Sequence, residues 1–456
     1  MFPFSKSKLA ASREQAENLL RLADKVDCYR RDVVPAEALA RMRAASARLQ
    51  KMWEDKKNAS PEEMDQACSE LHEAMLPCGG DIYPLTVMGE YTEMLIGAAI
   101  LVIGIRTFFL QPFKIPTNSM YPTYYGMTPY VYSIDKPGPS PVARVYNFVT
   151  QWAQHYEVRA PVDGEVALPV REIDVPVSDI SQPAPIGVDA EYKVVQERTW
   201  GHLWLSPEEE REHTLRVGDA SVTVRVPSDF DRGVEEAFFA TYFPDLYQAA
   251  WKVPQKFFTL LNQTGRIRRD ASGQLLVTTG RQVKAGDRIL DFDLRTGDML
   301  FVDRISYNFI APKPGDPFVF HTAGIDDLWT QLPDGTMVHE DQYYIKRLVG
   351  TPGDELEVRA PMLYRNGQPN SGAAAFDKNA HQEGNYPGYS FGNLGQTKHL
   401  HPGESYTVPP GHYFPMGDNS PTSYDGRYWG AVPAQNVVGR AVFIIYPFTS
   451  RWGPSH

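Results

Sequence analysis

The sequence predicts a mainly β domain built from antiparallel sheets, with a β-rich insertion, one transmembrane helix and an N-terminal α-helical arm. Three patterns along the chain support this fold class. Apolar residues recur three and four positions apart before residue 77, and residues 94–105 form an apolar run without charge. After residue 115, short alternating apolar runs are separated by turns rich in glycine and proline. These are the periodicities of amphipathic helices, a membrane helix and half-buried strands, respectively.

Length and composition narrow the class of protein. A chain of 456 residues predicts two or three folding units. A hydrophobic fraction of 42% is typical of a globular protein and excludes a disordered chain and a polytopic membrane protein. The net charge of -11 argues against a nucleic-acid partner, which would require a basic face.

The three cysteines all precede residue 94. Cys28, Cys68 and Cys78 match neither a paired zinc site nor a redox motif. Their confinement to one end fits a chain that passes from a reducing to an oxidising compartment.

Residues 8–76 have helical periodicity, which Pro35 and Pro61 break into about three pieces. Ser60 is the expected N-cap of the last piece, because Pro61 suits the first turn of a helix and Glu63 stands three residues after the cap. We expect a small helical arm with no chemistry of its own.

The uncharged run at 94–105 is shorter than the roughly 20 residues that a spanning helix needs. Extending it to Phe113 supplies the length if Arg106 snorkels to the interface, where Phe108, Phe109 and Phe113 would lie in the aromatic belt. We therefore predict a membrane helix over 93–113; the alternative is a buried core helix.

The β-rich remainder contains two exceptions to the strand pattern. Residues 233–262 carry an aromatic stripe at helical spacing, which predicts helix and core packing. Residues 366–403 are rich in Gly, Asn and His and are predicted to form a surface loop.

One serine and one lysine fit the requirements of a nucleophile and its base. Serine needs a positioned base to remove its proton, and lysine serves if burial lowers its pKa toward neutrality. Ser119 lies in the segment IPTNSMYPT, directly after the apolar run. Lys346 lies in the hydrophobic run YYIKRLVG.

These two segments resemble the signature of bacterial type I signal peptidases, also called leader peptidases. The resemblance continues in order through Gly297–Val302, Pro314–Phe320, the lysine segment up to Asp354, and Met416–Gly430. It covers residues 100–124, 297–360 and 404–447. It implies a signal-peptidase-like catalytic domain of antiparallel sheets and a Ser/Lys-dyad serine endopeptidase.

The resemblance also implies a role for each matching residue. Ser119 would attack the scissile carbonyl and Lys346 would be the general base, oriented by Ser423. The Ser119 backbone N–H and the Thr117 hydroxyl would form the oxyanion hole. The supporting residues implied are Arg347, Asp418, an Asp425–Arg427 ion pair, and Met120 packed under the site.

The sequence departs from the family pattern in three places. Ser420-Pro421-Thr422 replaces a charged segment, so local ion pairing there is in doubt, and Gly426 stands where serine is common. Residues 126–296 stand where the family has only a few residues. Within them, 158–166 and 280–290 resemble the two halves of a biotinyl/lipoyl-like hammerhead, but no attachment lysine turn is present. We expect no cofactor and no metal, and interpret the insertion as a structural or docking module for envelope or translocation partners.

The predicted organisation has five parts: a cytosolic arm (1–92), a transmembrane helix (93–113), the nucleophile segment (114–125), the inserted module (126–296) and the rest of the catalytic domain (297–456). The expected location is the cytoplasmic membrane, as a single-pass protein with its catalytic domain outside the cytoplasm. The resemblance implies that the substrates are secreted preproteins, cut after small residues beside the lipid bilayer.

The sequence leaves competing interpretations of the function open. The chain could be a non-catalytic envelope adaptor with a retained protease fold, or a self-cleaving Ser/Lys protease of the repressor type. Gly388–Gly392 fits G-x-S-x-G, but its flanks predict a loop rather than a strand–turn–helix elbow. His381, His399 and His401 lack the spacing of a metal site and are predicted to be surface histidines.

Overall fold

The computed structural model describes residues 8–55, 60–84, 86–197, 208–230, 232–331 and 337–455. These residues divide into two compact units, 1–104 and 105–456.

The first unit contains the predicted helical arm. Its helices are α1 (Lys8–Arg30), α2 (Ala36–Glu54) and α3 (Pro61–Gly79). Ser60 caps α3, since its Oγ accepts the N–H of Glu63 at 3.3 Å. The apolar stripes of the three helices pack into one core that includes Leu20, Leu49 and Leu71. The prediction of a helical arm broken near Pro35 and Pro61 is confirmed.

Helix α4 (Val87–Phe108) begins in the first unit and is long and apolar enough to cross a membrane. Its bounds differ from the predicted 93–113. The helix begins before the predicted residue 93 and ends before the predicted residue 113. Strand β1 (Leu110–Lys114) begins two residues after the helix ends. Phe113 therefore lies in a sheet, where its ring packs edge-on against Tyr343, and not in the helix.

The second unit contains the remaining elements. The strands are β2 (Thr128–Val131), β3 (Gln154–Arg159), β4 (Gly164–Ile173), β5 (Gly187–Ala190), β6 (Tyr192–Glu197), β7 (Glu208–Val217), β8 (Ala220–Pro227), β9 (Ile267–Arg269), β10 (Leu275–Val283), β11 (Arg288–Arg295), β12 (Met299–Asp303), β13 (Pro317–His321), β14 (Trp329–Gln331), β15 (Met337–His339), β16 (Tyr343–Gly350), β17 (Glu355–Arg359), β18 (Met362–Arg365), β19 (Gln368–Pro369), β20 (Ser405–Thr407), β21 (His412–Met416), β22 (Val432–Pro433), β23 (Val437–Tyr446) and β24 (Gly453–Pro454). The helices are α5 (Pro141–Gln151), α6 (Gly233–Tyr242), α7 (Pro244–Ala250), α8 (Pro254–Gln263), α9 (Ala374–Ala380) and α10 (Gly426–Trp429).

The largest sheet has the order β1-β12-β23-β13-β16-β21-β22, and β24 pairs with β23. Its neighbouring strands are antiparallel. A four-stranded sheet, β19-β18-β17-β20, belongs to the same catalytic segment. The mainly β prediction is therefore confirmed. The largest sheet brings β1, which leads into Ser119, into the same sheet as β16, which carries Lys346.

The segment 126–296 forms its own sheets. One has the order β6-β7-β4-β10-β9, with β5 and β8 at its sides, and the other has the order β2-β11-β3. The two hammerhead-like segments meet, because β3 pairs with β11 and β4 pairs with β10. The predicted helix at 233–262 is three short helices, broken at Phe243 and before Pro254. Its aromatic residues lie in the core, as predicted.

Residues 366–403 are not the simple surface loop that the sequence predicts. They contain α9, and the side chains of Phe376, Tyr389 and Leu400 are buried in the core beside the four-stranded sheet. The Gly and Asn content reflects tight turns, such as the one at Asn366 and Gly367, whose φ angles are positive. The segment packs inward because its sparse apolar residues, spread along the chain, converge on one cluster.

Candidate active site

Ser119 lies in a single turn of 3₁₀ helix, Asn118–Met120, four residues after β1 ends. The Asn118 side chain fixes this turn: its Oδ1 accepts the N–H of Gly126 at 2.9 Å, and its Nδ2 donates to the carbonyl of Met127 at 3.3 Å. Gly126 allows the close approach, because a Cβ there would lie 2.4 Å from the Thr117 carbonyl carbon. The serine backbone is thus positioned by the chain that follows it.

The loop after β21 holds the same turn from the other side. The Asn419 N–H donates to the carbonyl of Ser119 at 3.0 Å, and its side-chain amide donates to the carbonyl of Asn118 at 3.1 Å. Sequence reasoning passed over both asparagines. Their side chains are suited to this task because an amide can accept or donate to backbone groups in a turn.

Lys346 lies in β16, between β13 and β21, and is only 5% exposed. Burial lowers the pKa of its ammonium group to about 8. The charge of Asp425 opposes this shift and that of Arg427 reinforces it. Its Nζ lies 5.5 Å from the ring centroid of Tyr344. A lysine in this state has a substantial neutral fraction at mildly alkaline pH.

Ser119 and Lys346 line one cavity of about 770 Å³. Residues before the serine turn, the start of β16 and the last loop form part of its wall, and the predicted oxyanion residue Thr117 is among them. The segment 126–296 supplies another part, which the sequence did not predict. The residues that it supplies, the inserted wall, are Met127, Thr128, Pro129, Arg232, Gly233, Glu236, Tyr247, Gln248, Trp251, Lys252 and Arg295.

Ser423 is 2% exposed, and its Oγ is buried without a hydrogen-bond partner among the described residues. A buried hydroxyl normally has a partner, so this one is available to a group in the site. Gly417 keeps it close to the nucleophile turn: a Cβ on Gly417 would lie 2.3 Å from the Ser423 Oγ and 2.4 Å from the Ser119 carbonyl oxygen.

Arg347, which follows Lys346 in β16, forms an ion pair with Asp418 that is almost fully buried. Its Nε and Nη2 donate to the two carboxylate oxygens at 2.7 and 2.5 Å, and its Nη1 donates to the Gly315 carbonyl at 2.6 Å. Although burial opposes the charge, Asp418 outweighs it and the pKa of Arg347 is raised. Both residues were predicted as separate supports; the structure joins them.

Asp425 and Arg427 form a second buried ion pair, with both donor–acceptor distances 2.9 Å. Arg427 also donates to the carbonyls of Ser390, Ser420 and Ser423. The loop that departs from the family at 420–422 is therefore held by hydrogen bonds from the Arg427 side chain to backbone carbonyls. Gly426 fits here because a Cβ would lie 2.8 Å from the Pro415 carbonyl oxygen.

Met120 is fully buried in a small apolar cluster with Ile115, Tyr124 and Leu300. Thr117 precedes the 3₁₀ turn, and its hydroxyl makes no capping hydrogen bond there. The structure thus places every predicted site residue in or around the nucleophile turn, the start of β16 and the last loop.

The competing motifs lie elsewhere in the fold. Ser390 of the G-x-S-x-G segment is 1% exposed and lies in a loop without a strand–turn–helix elbow. His401 contacts the carbonyl of Thr397 through Nε2, and His399 packs its ring on Tyr406. No group of three metal-ligating side chains occurs in the part of the chain that the structure describes.

The comparisons with known proteins match the part of the chain that carries Lys346. The family profile for signal peptidase, peptidase S26, matches residues 289–446. A probable signal peptidase I-1 of Synechocystis is 34% identical over 35% of this chain and 67% of its own length. Signal peptidase IB of Staphylococcus aureus is 28% identical over 35% of this chain and 74% of its own length.

A signal peptidase I of Enterococcus faecalis with a solved structure is 31% identical, covering 29% of this chain and 97% of that one, with a TM-score of 0.20. The family is shown by two sequence matches: the profile match over residues 289–446 and the 34% identity to the Synechocystis protein. This chain belongs to the signal peptidase I family.

Proposed function

We propose that this protein is a membrane-bound signal peptidase that cleaves N-terminal signal peptides from secreted preproteins by a Ser119/Lys346 mechanism. The observation that carries the proposal is a buried lysine of lowered pKa that lines the same cavity as the serine. A serine becomes an effective nucleophile when such a base removes its proton.

In the proposed first step, neutral Lys346 takes the Ser119 hydroxyl proton while Oγ forms a bond to the scissile carbonyl carbon. The resulting ammonium then donates that proton to the departing amine as the C–N bond breaks, which leaves an acyl enzyme. Water attacks this ester, with Lys346 taking its proton; the C–Oγ bond then breaks, Lys346 returns the proton to the Ser119 Oγ, and the signal peptide leaves as a carboxylate. The Ser423 Oγ, which has no hydrogen-bond partner among the described residues, would accept a hydrogen bond from the lysine and orient it.

The oxyanion would be held by the Ser119 backbone N–H and the Thr117 hydroxyl. Donors placed where negative charge develops lower the barrier, because they need no reorganisation during the reaction. The fixed 3₁₀ turn around Asn118 supports this assignment, as it holds the serine N–H in one orientation. Asn419 would preserve the same geometry through its bond to the Ser119 carbonyl.

The geometry also supports an extended substrate. β1 is an edge strand of the largest sheet, and β21 pairs with β16 only from Arg347 onward. The Tyr343–Ile345 backbone therefore has no partner strand on that side among the described residues. A preprotein segment could add there as a strand and present its cleavage site to Ser119. By its resemblance to the family, the site would select small residues beside the cleavage point.

For location, we propose that α4 spans the cytoplasmic membrane, with the arm in the cytosol and the catalytic domain outside. The adaptor interpretation gains nothing from the comparisons, whose matches are signal peptidases. Docking of envelope or translocation partners on 126–296 remains a proposal.

The test is cleavage of a purified preprotein by the full chain in detergent, comparing wild type with Ser119→Ala and Lys346→Ala. Ser390→Ala is the matched control, because that serine belongs to the competing G-x-S-x-G motif. We expect wild type and Ser390→Ala to cut after a small residue, and the other two variants to be inactive. Activity that survives Ser119→Ala, or is lost with EDTA, would reject the mechanism; inactive but folded wild type would favour the adaptor.

A further inference from the structure

Helix α5 has its apolar and polar faces reversed relative to a helix of a soluble domain. The side chains that face solvent are Val142, Val145, Tyr146, Phe148, Val149 and the capping Trp152, each at least 50% exposed. They recur three and four positions apart and form one stripe along the helix. The polar Asn147 faces inward and donates to Tyr132 and to Asp293 at 3.1 and 2.9 Å.

The stripe extends onto the end of β23. The Phe448 N–H donates to the Thr150 carbonyl at 3.3 Å, the Tyr446 hydroxyl donates to the Val149 carbonyl at 3.2 Å, and the Phe448 ring is 64% exposed. Soluble domains rarely expose a contiguous apolar patch of this kind, so the patch marks an interaction surface.

The chemistry around α5 favours a bilayer as the occupant. Between Asp135 and Glu157 the charged residues are Lys136 and Arg144. Arg144 lies 3.7 Å from Glu157, but both basic side chains are exposed and can contact anionic headgroups. Tyr146 and Trp152 combine an apolar ring with a polar atom, which suits the membrane–water interface. The same chain carries the candidate membrane span α4, which keeps a bilayer at high effective concentration.

We propose that α5 lies in the surface of the lipid bilayer, with its exposed stripe among the headgroups and upper acyl chains. Helix α5 is connected to the active site through the end of β11. The Thr296 N–H donates to the Gln151 carbonyl at 3.3 Å, and the adjacent Arg295 lines the cavity. The inserted segment thereby holds the rim of the Ser119 cavity at the membrane surface. This role adds to the proposed peptidase activity.

The first test measures the environment of α5 in the full chain. A Val145→Cys variant in a Cys28→Ser background would be labelled with a polarity-sensitive fluorophore and reconstituted into phosphatidylglycerol/phosphatidylethanolamine vesicles. Cys28 must be replaced because it is exposed, whereas Cys68 and Cys78 are buried. The matched control is Ser221→Cys, at an exposed position of β8, in the same background.

We expect a blue-shifted emission and quenching by spin-labelled lipids at position 145, with neither at 221. A water-like emission at 145 would overturn the proposal. So would a shift that depends on protein density and that spin-labelled lipids do not quench, because that pattern indicates a second copy of the chain.

The second test is the double variant Val145→Asp/Val149→Asp. Cleavage of a preprotein in the same vesicles should fall about tenfold, because the site loses its seating at the surface, while cleavage of a soluble peptide in detergent stays unchanged. Equal rates in vesicles would overturn the positioning role. The fluorescence result is independent of activity, so it decides the proposal even if the double variant fails to fold or the peptidase assignment fails.

Discussion

Arg347 and Asp418 join the lysine strand to the loop that holds the nucleophile turn, through two parallel hydrogen bonds in a fully buried ion pair. Asp418→Asn keeps the shape but leaves the guanidinium without a counter-charge. Because an unpaired buried charge is costly, we expect a loss of about 3–5 kcal/mol in the free energy of unfolding. Urea denaturation of the detergent-solubilised chain measures this loss.

Lys398 and Asp327 supply the matched control, since their ion pair is about half exposed on both sides. Asp327→Asn should change the free energy of unfolding by no more than about 1 kcal/mol. Similar losses for the two variants would show that the buried Arg347–Asp418 pair stabilises the fold no more than an exposed pair does.

Gly417 separates the Ser119 carbonyl from the Ser423 side chain with no space for a methyl group. Gly417→Ala must push the nucleophile turn and the last loop apart. We expect a cost of about 1–3 kcal/mol in stability and a fall in kcat well beyond what that stability loss would cause. Gly395→Ala is the control, because its nearest atom to an added Cβ is the Asn393 side chain at 3.5 Å. A Gly417→Ala enzyme with wild-type kcat would contradict the packing argument.

Ser423 and Ser420 lie in the same loop but make different contacts. The Ser420 Oγ accepts the N–H of Ser390 at 3.1 Å, whereas the Ser423 Oγ has no partner among the described residues. Ser423→Ala should therefore cost little stability but lower kcat about tenfold or more, as Lys346 loses its orienting hydroxyl. Ser420→Ala should show the opposite pattern, with lower stability and nearly normal kcat.

The pH–rate profile separates orientation from a merely structural role for Ser423. If its hydroxyl accepts a hydrogen bond from the Lys346 ammonium, the charged form loses support in Ser423→Ala and the pKa in the profile moves down. An unchanged pKa with an unchanged plateau would remove Ser423 from the site.

The sequence was sufficient to predict the elements whose signal is local. The three arm helices, the alternating strands and the nucleophile and lysine segments carry their pattern in consecutive residues, and the Ser60 cap was correct. The predicted end of the membrane helix lay too far along the chain because Leu110 and Phe113 continue the apolar run of the helix. Its pairing with Met299–Asp303, far along the chain, decides that it is a strand.

The candidate site residues could be named from the sequence, and their roles stay predictions, but the hydrogen bonds that connect them could not be predicted. The Arg347–Asp418 ion pair and the hydrogen bond from Asn419 to Ser119 join residues more than 70 positions apart. Residue spacing in the sequence cannot reveal such contacts. The inserted wall at Tyr247 and Trp251 was missed for the same reason, since its aromatic stripe also serves the core. Side chains with two roles are ambiguous in a sequence until the fold shows which atoms reach the cavity.

Lys346, the proposed base, is expected to govern the pH dependence of both activity and stability. Because its neutral amine would accept the serine proton and its pKa is lowered to about 8, kcat/KM should rise about tenfold between pH 6 and 7 and level off above about pH 8. A profile that is flat from pH 6 to 9 would exclude this lysine as the base.

The same lowered pKa predicts the effect of Lys346 on stability. The pKa falls from 10.5 in the unfolded chain to about 8 in the folded one, so the unfolded state binds more protons between these values. The free energy of unfolding therefore rises with pH across that window, and the lysine is destabilising below it. Lys346→Met should raise stability at pH 7 by up to about 3 kcal/mol, with the gain shrinking as the pH approaches 10.5. Thermal unfolding of both proteins across pH 7–10 measures this, and a gain that does not change with pH would mean that packing rather than the buried charge is responsible.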